Sequence, residues 1–462
     1  MSKKAASSPS KIVIVGLGTG GLYSSRAASR FDRRAQITII ERRDYDMFSP
    51  CGIPYAIEGK VGDFESLKHK VPRTRQINIL LRHEVLSIDT EGKTVEVKNL
   101  ETGEISSHPY DSLILATGSR PHVLNIPGAR EMMEKGVFVV SNPEEGKLLR
   151  DAALKAERVV VVGGGAIGLE IALALRHLGL EVITTKRSPD PLPRNLDPDM
   201  GKLVLEYLKS EGVRVLFGKN IESVNGAERV ESVTIAGEVI PTDIVVMAVG
   251  VDPVSKLAED AGITTDRGAI VADERMETSV KDIYAIGDNC LSFSAIDGKP
   301  IRVALATTAF RQAAVAGVNA SGGEALFGGA IGTFVTYFGE LEISCTGYNS
   351  QSAERNGHTV VSGRANMTIK PGWMPGAKEI SVKVVADAET GRVLGGQAIG
   401  GEGTDWRINI IALAIKKHMT LEELSTIELA YCPAVSDLYD PLLVAVDAAI
   451  RRREAIRRRM KR

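Results

Sequence analysis

Short apolar runs lead directly into glycine-rich turns at two places in the chain. Residues 11–15 (KIVIV) precede GLGTGG, and residues 159–162 (VVVV) precede GGGAIG. A helical stretch and a further strand, at residues 37–40 or 181–185, follow each turn. Continuous β-branched runs are typical of parallel strands that are buried on both faces. The pattern therefore predicts two copies of a strand–turn–helix–strand unit of α/β type.

Two more apolar runs, at residues 113–118 and 245–250, end in glycine, and a third, at 284–288, ends in Gly-Asp. Beyond about residue 330 the pattern changes to longer strands and a helix at 408–418, with no phosphate loop. We predict an α/β fold with two Rossmann-like domains, the second inserted in the first, and a C-terminal α+β domain. The predicted boundaries are a disordered tail at 1–10, a first domain at 11–125 and 253–328, a second domain at 126–252, and a C-terminal domain at 329–462.

The first glycine turn has the GxGxxG spacing of a dinucleotide site. Gly16 permits the tight turn, Gly18 lets the backbone approach a pyrophosphate, and Gly21 lets the helix pack on the strand. The helix N-terminus favours the phosphates. Glu41, at the end of the next strand, is predicted to bind the ribose hydroxyls.

The second turn repeats the spacing with Gly163, Gly165 and Gly168. Lys186 and Arg187 stand where an acid would select a free 2′-hydroxyl. A basic pair there attracts a 2′-phosphate, so we expect NADPH rather than NADH. The alternative is that both are solvated surface charges.

Composition and charge exclude several classes of function. The 57 Lys and Arg residues balance 58 Asp and Glu residues, for a net charge of −1, which argues against nucleic-acid binding. No apolar run is long enough for a membrane span, and no signal peptide is evident. Four cysteines form no disulfide framework and no zinc spacing. The sequence thus predicts a cytoplasmic protein without a metal site.

The two glycine loops, ATG at 116–118 and Gly287-Asp288 together resemble the pyridine nucleotide–disulfide oxidoreductase family over residues 11 to about 443. The resemblance implies that FAD binds the first unit and NAD(P)H the second, with Asp288 on the flavin ribityl chain and Glu170 near the nicotinamide. It also implies a homodimer in which the C-terminal domain completes the partner subunit's active site. Further cofactor contacts that it implies are Arg42, Ser49, Pro50, Val85, Ala116, Thr117, Gly118, Gly287, Ala306, Ile167 and Gly250.

Cys51, in FSPCGIPY, lacks a second cysteine nearby. It resembles the single-cysteine branch: coenzyme A-disulfide reductases, NADH oxidases and peroxidases, and polysulfide reductases. A thiol before a short helix is expected to be more acidic than a free cysteine. The resemblance implies that NADPH reduces the flavin, which passes electrons to an oxidised Cys51. We therefore expect an NADPH-dependent reductase of coenzyme A disulfide, polysulfide or another small disulfide.

Two alternatives remain open at this point. Oxidases and peroxidases of the branch typically carry a histidine in the first glycine loop, where this chain has Thr19, so this alternative is disfavoured. An electron-transfer reductase that docks a redox protein partner would leave Cys51 idle.

The segment at 428–441, ELAYCPAVSDLYDP, resembles the coenzyme A-disulfide reductase tail, whose tyrosine matches Tyr431, a candidate proton donor. Aligned with the tail of the glutathione reductase branch, Cys432 falls at the catalytic histidine position. We hypothesise that Cys432 is a resolving thiol for Cys51 of the partner subunit; the alternative is a small space-filler. The basic run at 451–462 is interpreted as a solvated helix end.

Overall fold

The computed structural model describes residues 9–460, so most of the predicted tail at 1–10 lies outside the described residues. The strands are β1 Lys11–Val15, β2 Gln36–Ile40, β3 Met47–Phe48, β4 Lys68–His69, β5 Ile77–Leu80, β6 His83–Asp89, β7 Thr94–Asn99, β8 Ile105–Pro109, β9 Ser112–Leu115, β10 Ser119–Pro121, β11 Val137–Phe138, β12 Arg158–Val162, β13 Glu181–Lys186, β14 Arg214–Phe217, β15 Ile221–Asn225, β16 Ser232–Ile235, β17 Glu238–Pro241, β18 Ile244–Met247, β19 Val251–Pro253, β20 Thr265–Asp266, β21 Ala269–Val271, β22 Ile283–Ala285, β23 Cys290–Phe293, β24 Pro300–Ile301, β25 Phe334–Phe338, β26 Leu341–Gly347, β27 Val360–Thr368, β28 Glu379–Asp387 and β29 Val393–Gly400. The helices are α1 Thr19–Phe31, α2 Ile53–Glu58, α3 Pro143–Ala153, α4 Ala166–His177, α5 Pro198–Ser210, α6 Lys256–Asp260, α7 Ala306–Ala320, α8 Ser350–Arg355, α9 Thr404–Lys416, α10 Leu421–Ser425 and α11 Pro441–Met460.

The first Rossmann-like unit is built on a five-stranded parallel sheet in the order β22-β9-β1-β2-β5. Helices α1 and α7 pack against each other beside it. The apolar side chains of the central strands are fully buried, as a sheet covered on both faces requires. Because β1 and β2 are parallel neighbours, the first glycine loop and the end of β2 lie at one sheet edge.

The second unit repeats this plan with the parallel order β11-β18-β12-β13-β14. Helix α4 follows β12 and is apolar over most of its surface, because the sheet covers one side of it and α2 the other. The chain returns from this unit to the first one through β19, which pairs with β10.

The C-terminal unit is a five-stranded antiparallel sheet in the order β25-β26-β29-β28-β27. Helices α9 and α11 pack against it, and small residues permit a close approach. A Cβ on Gly363 of β27 would lie 2.0 Å from the carbonyl oxygen of Ala445 on α11. The predicted fold class, two Rossmann-like units and a C-terminal α+β unit, is confirmed.

Three predicted strands end earlier than the sequence pattern indicates. Their last residues and the glycines that follow with left-handed φ are Leu115 and Gly118, Met247 and Gly250, and Ala285 and Gly287. The glycines turn the chain at the sheet edge rather than extend the strands. Among residues 9–460, no helix has the length and apolarity to cross a membrane, and no group of three potential metal ligands occurs.

Candidate functional site

In the first glycine loop, two glycines are tightly packed against the backbone, and the third is open to an approaching dinucleotide. A Cβ on Gly16 would lie 2.4 Å from the carbonyl oxygen of Ala116, and one on Gly21 would lie 1.9 Å from that of Gly16. Gly18 is exposed, and a Cβ there would meet nothing within 4 Å. The first turn of α1 carries no acid. An uncharged helix N-terminus with open backbone fits the pyrophosphate of FAD.

Glu41 directly follows β2 beside this loop and is buried. It accepts hydrogen bonds from the Leu17 N–H (2.8 Å) and from Arg43 Nη2 (2.7 Å). Burial alone would raise the pKa of Glu41, but the hydrogen bonds and charge of Arg43 outweigh it and hold that pKa below its usual value. The residue is thus a fixed carboxylate acceptor, as ribose recognition requires.

Asp288 lies in the turn three residues after β22 and accepts a hydrogen bond from the Ser119 hydroxyl (2.8 Å). Burial raises the pKa of Asp288, and the Ser119 bond and the charge of Arg302 offset part of this rise. Thr117, in the adjacent turn, donates to the Val254 carbonyl (2.5 Å). The Ser119 bond, and a hydrogen bond from Asn289 Nδ2 to Thr117 Oγ1 (2.8 Å), link the turn at 116–118 to the Gly287-Asp288 turn.

The other residues that the family resemblance assigns to FAD have varied surroundings. Arg42 is exposed and pairs with Glu84 (3.6 Å), and Val85 lies on β6, partly buried against the first core. Ser49 bonds to the His69 ring (2.7 Å), and Ala306 begins α7. Pro50 opens the 3-10 turn at Pro50–Gly52 that carries Cys51.

The second glycine loop has the same steric design. A Cβ on Gly163 would lie 2.1 Å from the Ala248 carbonyl oxygen, and one on Gly168 would lie 2.8 Å from that of Gly163. A Cβ on Gly165 would meet nothing within 4 Å. Ile167, in the first turn of α4, is half exposed. The loop fits a second dinucleotide.

The two basic residues at and just after the end of β13, Lys186 and Arg187, lie in different environments. The Lys186 ammonium donates to the Asp190 carbonyl (2.8 Å) and lies over the Phe217 ring. Burial, and to a lesser extent the charge of Arg194, lower the pKa of Lys186 to about 8. Arg187 and Arg194 are exposed, and neither has a salt-bridge partner among the described residues. The free positive charge beside the loop therefore belongs to these two arginines.

Cys51 is an exposed thiol in the turn that precedes α2. The expectation of an unusually acidic thiol was made for a cysteine beside a flavin, and the groups of the chain itself act in the opposite direction. Desolvation of the sulfur and then the negative charge of Glu170 raise the pKa of Cys51, and a backbone hydrogen bond offsets only part of the rise. Helix α2 has six residues, so its dipole is weak.

Glu170 lies on α4, and its carboxylate accepts a hydrogen bond from the Thr336 hydroxyl of β25. Burial raises the pKa of Glu170, and this hydrogen bond offsets part of the rise. Tyr55 on α2 donates to the carbonyl of Tyr337 on β25 (3.2 Å). Elements of all three units thus meet next to Cys51 and line a narrow cavity that includes Tyr55, Glu170 and Tyr337.

Tyr431 and Cys432 lie on an exposed, irregular segment of the C-terminal unit. A turn holds Cys432: its carbonyl accepts from the Ser436 N–H (2.8 Å), and Ser436 Oγ donates to the Ala430 carbonyl (3.1 Å). No hydrogen bond among the described residues joins this segment to Cys51.

The sequence analysis did not predict several residues that position the site. Arg43 fixes Glu41, Ser119 fixes Asp288, and Thr336 binds Glu170. Arg194 adds charge near the second loop. Arg43 stands two residues from the acid that it holds and could have been proposed as its partner. The others lie on loops or on distant strands, where no periodic pattern marks them.

Comparisons with known proteins agree with this arrangement. The family model for pyridine nucleotide-disulphide oxidoreductases matches residues 10–313, and the model for their dimerisation domain matches residues 333–441. An NADH oxidase of Methanocaldococcus jannaschii is 36% identical over 96% of this chain and 99% of the relative. A CoA-dependent NAD(P)H sulfur oxidoreductase of Pyrococcus furiosus is 34% identical over 94% of this chain and 98% of the relative.

A solved structure of an NAD-dependent persulfide reductase from A. fulgidus superposes with a TM-score of 0.91 at 32% identity, covering 96% of this chain and 84% of that one. The fold, the paired glycine loops and both family models agree along the chain. The chain belongs to the pyridine nucleotide-disulphide oxidoreductase family.

Proposed function

We propose that the protein is an FAD-containing, NADPH-dependent reductase of disulfide or sulfane-sulfur substrates that acts through Cys51. The observation that carries the proposal is the exposed Cys51 thiol where three units meet, in a chain with two dinucleotide loops. Relatives named sulfur oxidoreductase and persulfide reductase support the substrate class. Four free thiols fit a reducing, cytoplasmic setting.

The chain's residues have separable roles in this proposal. Gly16, Gly18 and Glu41 would hold FAD, which when bound supplies the two-electron chemistry between nicotinamide and sulfur. The Cys51 thiolate attacks one sulfur of the disulfide, so that one thiolate leaves and a mixed disulfide forms. Two electrons from NADPH then return Cys51 to the thiol and release the second thiol. A protonated Glu170 favours the Cys51 thiolate, because a charged neighbour opposes it.

The preference for NADPH rests on Arg187 and Arg194. Guanidinium groups bind phosphate by two parallel hydrogen bonds and keep their charge. Lys186 is a weaker candidate, because its ammonium is held by the Asp190 carbonyl. We therefore assign the 2′-phosphate to the two arginines, with Lys186 as a packing residue beside the loop.

Anaerobic titration of the purified holoenzyme with NADPH tests the proposal. The holoenzyme is first treated with one equivalent of disulfide per FAD and freed of the released thiol, so that Cys51 is in a disulfide. A working Cys51 then takes one electron pair in addition to that of the flavin, so uptake of two pairs per FAD is expected, with a long-wavelength thiolate–flavin band. The Cys51→Ser variant should take up one pair and lose turnover with coenzyme A disulfide or polysulfide. Uptake of one pair by the unchanged protein would overturn the role of Cys51 and favour the electron-transfer alternative.

We also propose that the protein is a homodimer in which Tyr431 and Cys432 act next to the partner subunit's Cys51. A dimer is supported by the match to a dimerisation domain. In this route, which replaces direct reduction of the mixed disulfide, the Cys432 thiolate attacks the Cys51 sulfur, so an intersubunit disulfide forms and the second substrate thiol leaves. Two electrons from NADPH then reduce the intersubunit disulfide to the two thiols. A non-reducing gel after one equivalent of disulfide should show a covalent dimer that Cys432→Ser abolishes. Absence of that band in the unchanged protein rejects the step.

An NADH oxidase is the second candidate, because a relative of that name is 36% identical over nearly the whole chain. Thr19 in the first glycine loop cannot perform the acid–base work of a histidine on an oxygen adduct of Cys51. Oxygen consumption with NADPH, compared with disulfide reduction under argon, separates the two functions. Faster turnover with oxygen than with any disulfide would favour the oxidase.

A further inference from the structure

The loop after β13, residues 187–197, is held on two sides. At its centre the Leu192 N–H donates to the carbonyl of Gly164 in the second glycine loop (2.9 Å). Leu192 is buried and has a positive φ of 48°, a backbone conformation that the surroundings must enforce. Arg194 follows two residues later. The hydrogen bond therefore fixes Arg194 relative to the loop that holds the nucleotide.

The other side of the loop is held by Asn349, which belongs to the C-terminal unit. Its side-chain amide donates to the carbonyls of Pro193 (3.1 Å) and Leu196 (3.1 Å), which flank Arg194. Asn349 is fully buried, and its Oδ1 also accepts from the Ser352 N–H (2.8 Å) as the N-cap of α8. One buried side chain thus positions the backbone on both sides of Arg194.

The end of the loop is attached to the same unit through a buried carboxylate. Asp197 pairs with Lys383 on β28 (2.8 Å) and accepts hydrogen bonds from Ser350 Oγ (2.7 Å) and Gln397 Nε2 (3.0 Å). The Asp197 N–H donates in turn to Gln397 Oε1 (2.8 Å). A loop of the nucleotide-binding unit is therefore shaped largely by the C-terminal unit.

We infer that Asn349 is a positioning residue for 2′-phosphate recognition, which it serves by holding Arg194 beside the second glycine loop. This inference rests on the proposed preference for NADPH. It assigns to the C-terminal unit a part in choosing the nucleotide, in addition to its part in dimerisation. Asn349 itself contacts no nucleotide in this scheme, and its effect passes through Arg194.

Binding of 2′,5′-ADP and 5′-AMP to the oxidised holoenzyme, measured by calorimetry, tests the inference without any turnover. The two probes differ only in the 2′-phosphate. Arg194→Gln should weaken 2′,5′-ADP binding about 10-fold or more and leave 5′-AMP binding unchanged, since a charge-assisted hydrogen bond is lost. Asn349→Ser, which keeps a capping oxygen but lacks the amide, should weaken 2′,5′-ADP about 3- to 10-fold.

The double variant gives the decisive readout. If Asn349 acts through Arg194, then Arg194→Gln should cost much less in the Asn349→Ser background than in the unchanged protein. Asn142→Ser is the matched control, because Asn142 caps α3 in the same way and lies outside this loop. It should leave both probes unaffected. Should Asn349→Ser not fold, Asn349→Asp, of the same size but without the amide donor, takes its place.

Two failures can be told apart. Equal affinity of the unchanged protein for the two probes would reject the NADPH preference, and the inference with it. A clear preference for 2′,5′-ADP combined with additive effects of the Arg194 and Asn349 substitutions would reject the inference alone.

Discussion

The protonation of Cys51 depends on a residue far away in the sequence. Glu170 follows the second glycine loop, whereas Cys51 lies in the first unit, and packing of α2 against α4 brings their charges close enough to interact. The pKa of the thiol is raised, so the thiolate becomes abundant only above the ordinary pKa of cysteine. A nearby positive group or a neutral Glu170 would be needed to populate the thiolate at neutral pH.

Glu170→Gln should therefore make Cys51 more reactive. Removing the negative charge lowers the pKa of the thiol, which shifts the alkylation profile to lower pH. We expect iodoacetamide to modify Cys51 about two- to fivefold faster at pH 7 than in the unchanged protein. Mass spectrometry of the Cys51 peptide against time and pH provides the measurement.

Glu340→Gln is the control, because Glu340 is a highly exposed carboxylate near the same cavity. An unchanged profile in Glu170→Gln would mean that Cys51 does not sense the charge of Glu170. The buried thiols Cys290 and Cys345 should stay unmodified in every variant, since burial raises the pKa of Cys345 to about 12 and that of Cys290 further.

At the scale of elements, a buried ion pair fixes the segment that carries Tyr431 and Cys432. Arg407 on α9 donates two hydrogen bonds to Asp440 from Nε and one from Nη2 (2.7 Å), and the two side chains are 1% and 3% exposed. Asp440 also accepts from the Leu442 N–H at the start of α11 (2.8 Å). The C-terminal end of the irregular segment is therefore fixed by the buried Arg407–Asp440 ion pair.

Arg407→Met should destabilise the fold by about 3–5 kcal/mol, because it leaves a buried carboxylate without its partner. Arg407→Met combined with Asp440→Asn should regain most of this loss, since the amide can still accept from Leu442. Thermal unfolding at fixed protein concentration compares the variants. Equal losses in the single and the double variant would show that the charge of Asp440 is not the cause.

The sequence predicts elements that have a regular apolar pattern, but it does not predict the contacts that loops make with distant parts of the chain. Seven of the ten strands in the two parallel sheets, and both glycine loops, follow from apolar runs and spacing alone, whereas β5, β11 and β14 were not predicted. The bonds from Asn349 and Gln397 to the loop at 187–197 join residues 153 to 200 positions apart, and no local pattern marks them. The opposing effect of the chain's own groups on the acidity of Cys51 was not predicted for the same reason, since a helix of six residues contributes little and Glu170 comes from another unit.

At the scale of the whole molecule, the C-terminal unit of the single chain exposes several large apolar side chains to solvent, which is energetically unfavourable. Trp373, Val435, Leu438 and Tyr439 are each more than 60% exposed in the single chain. Three of them lie on the segment of Tyr431 and Cys432. A second copy that covers this face agrees with the match to a dimerisation domain.

Val435→Glu should therefore convert the proposed dimer to monomers and abolish the proposed disulfide reduction, because a buried charge at an interface is costly. Light scattering coupled to size exclusion measures the mass. Val239→Glu is the control, since Val239 is 64% exposed but lies on β17 in the second unit. A dimer that survives Val435→Glu with full activity would place the interface elsewhere.

The Lys383–Asp197 pair and the Glu170–Thr336 hydrogen bond attach the second unit to the C-terminal unit at two separate points. A swing of the second unit as a rigid body would have to separate a buried ammonium from its carboxylate before any new contact formed. Closure of the second unit around the nucleotide would therefore have a high free-energy cost. We therefore expect the second glycine loop to be preorganised for the nucleotide, with adjustment on binding confined to exposed side chains such as Arg187.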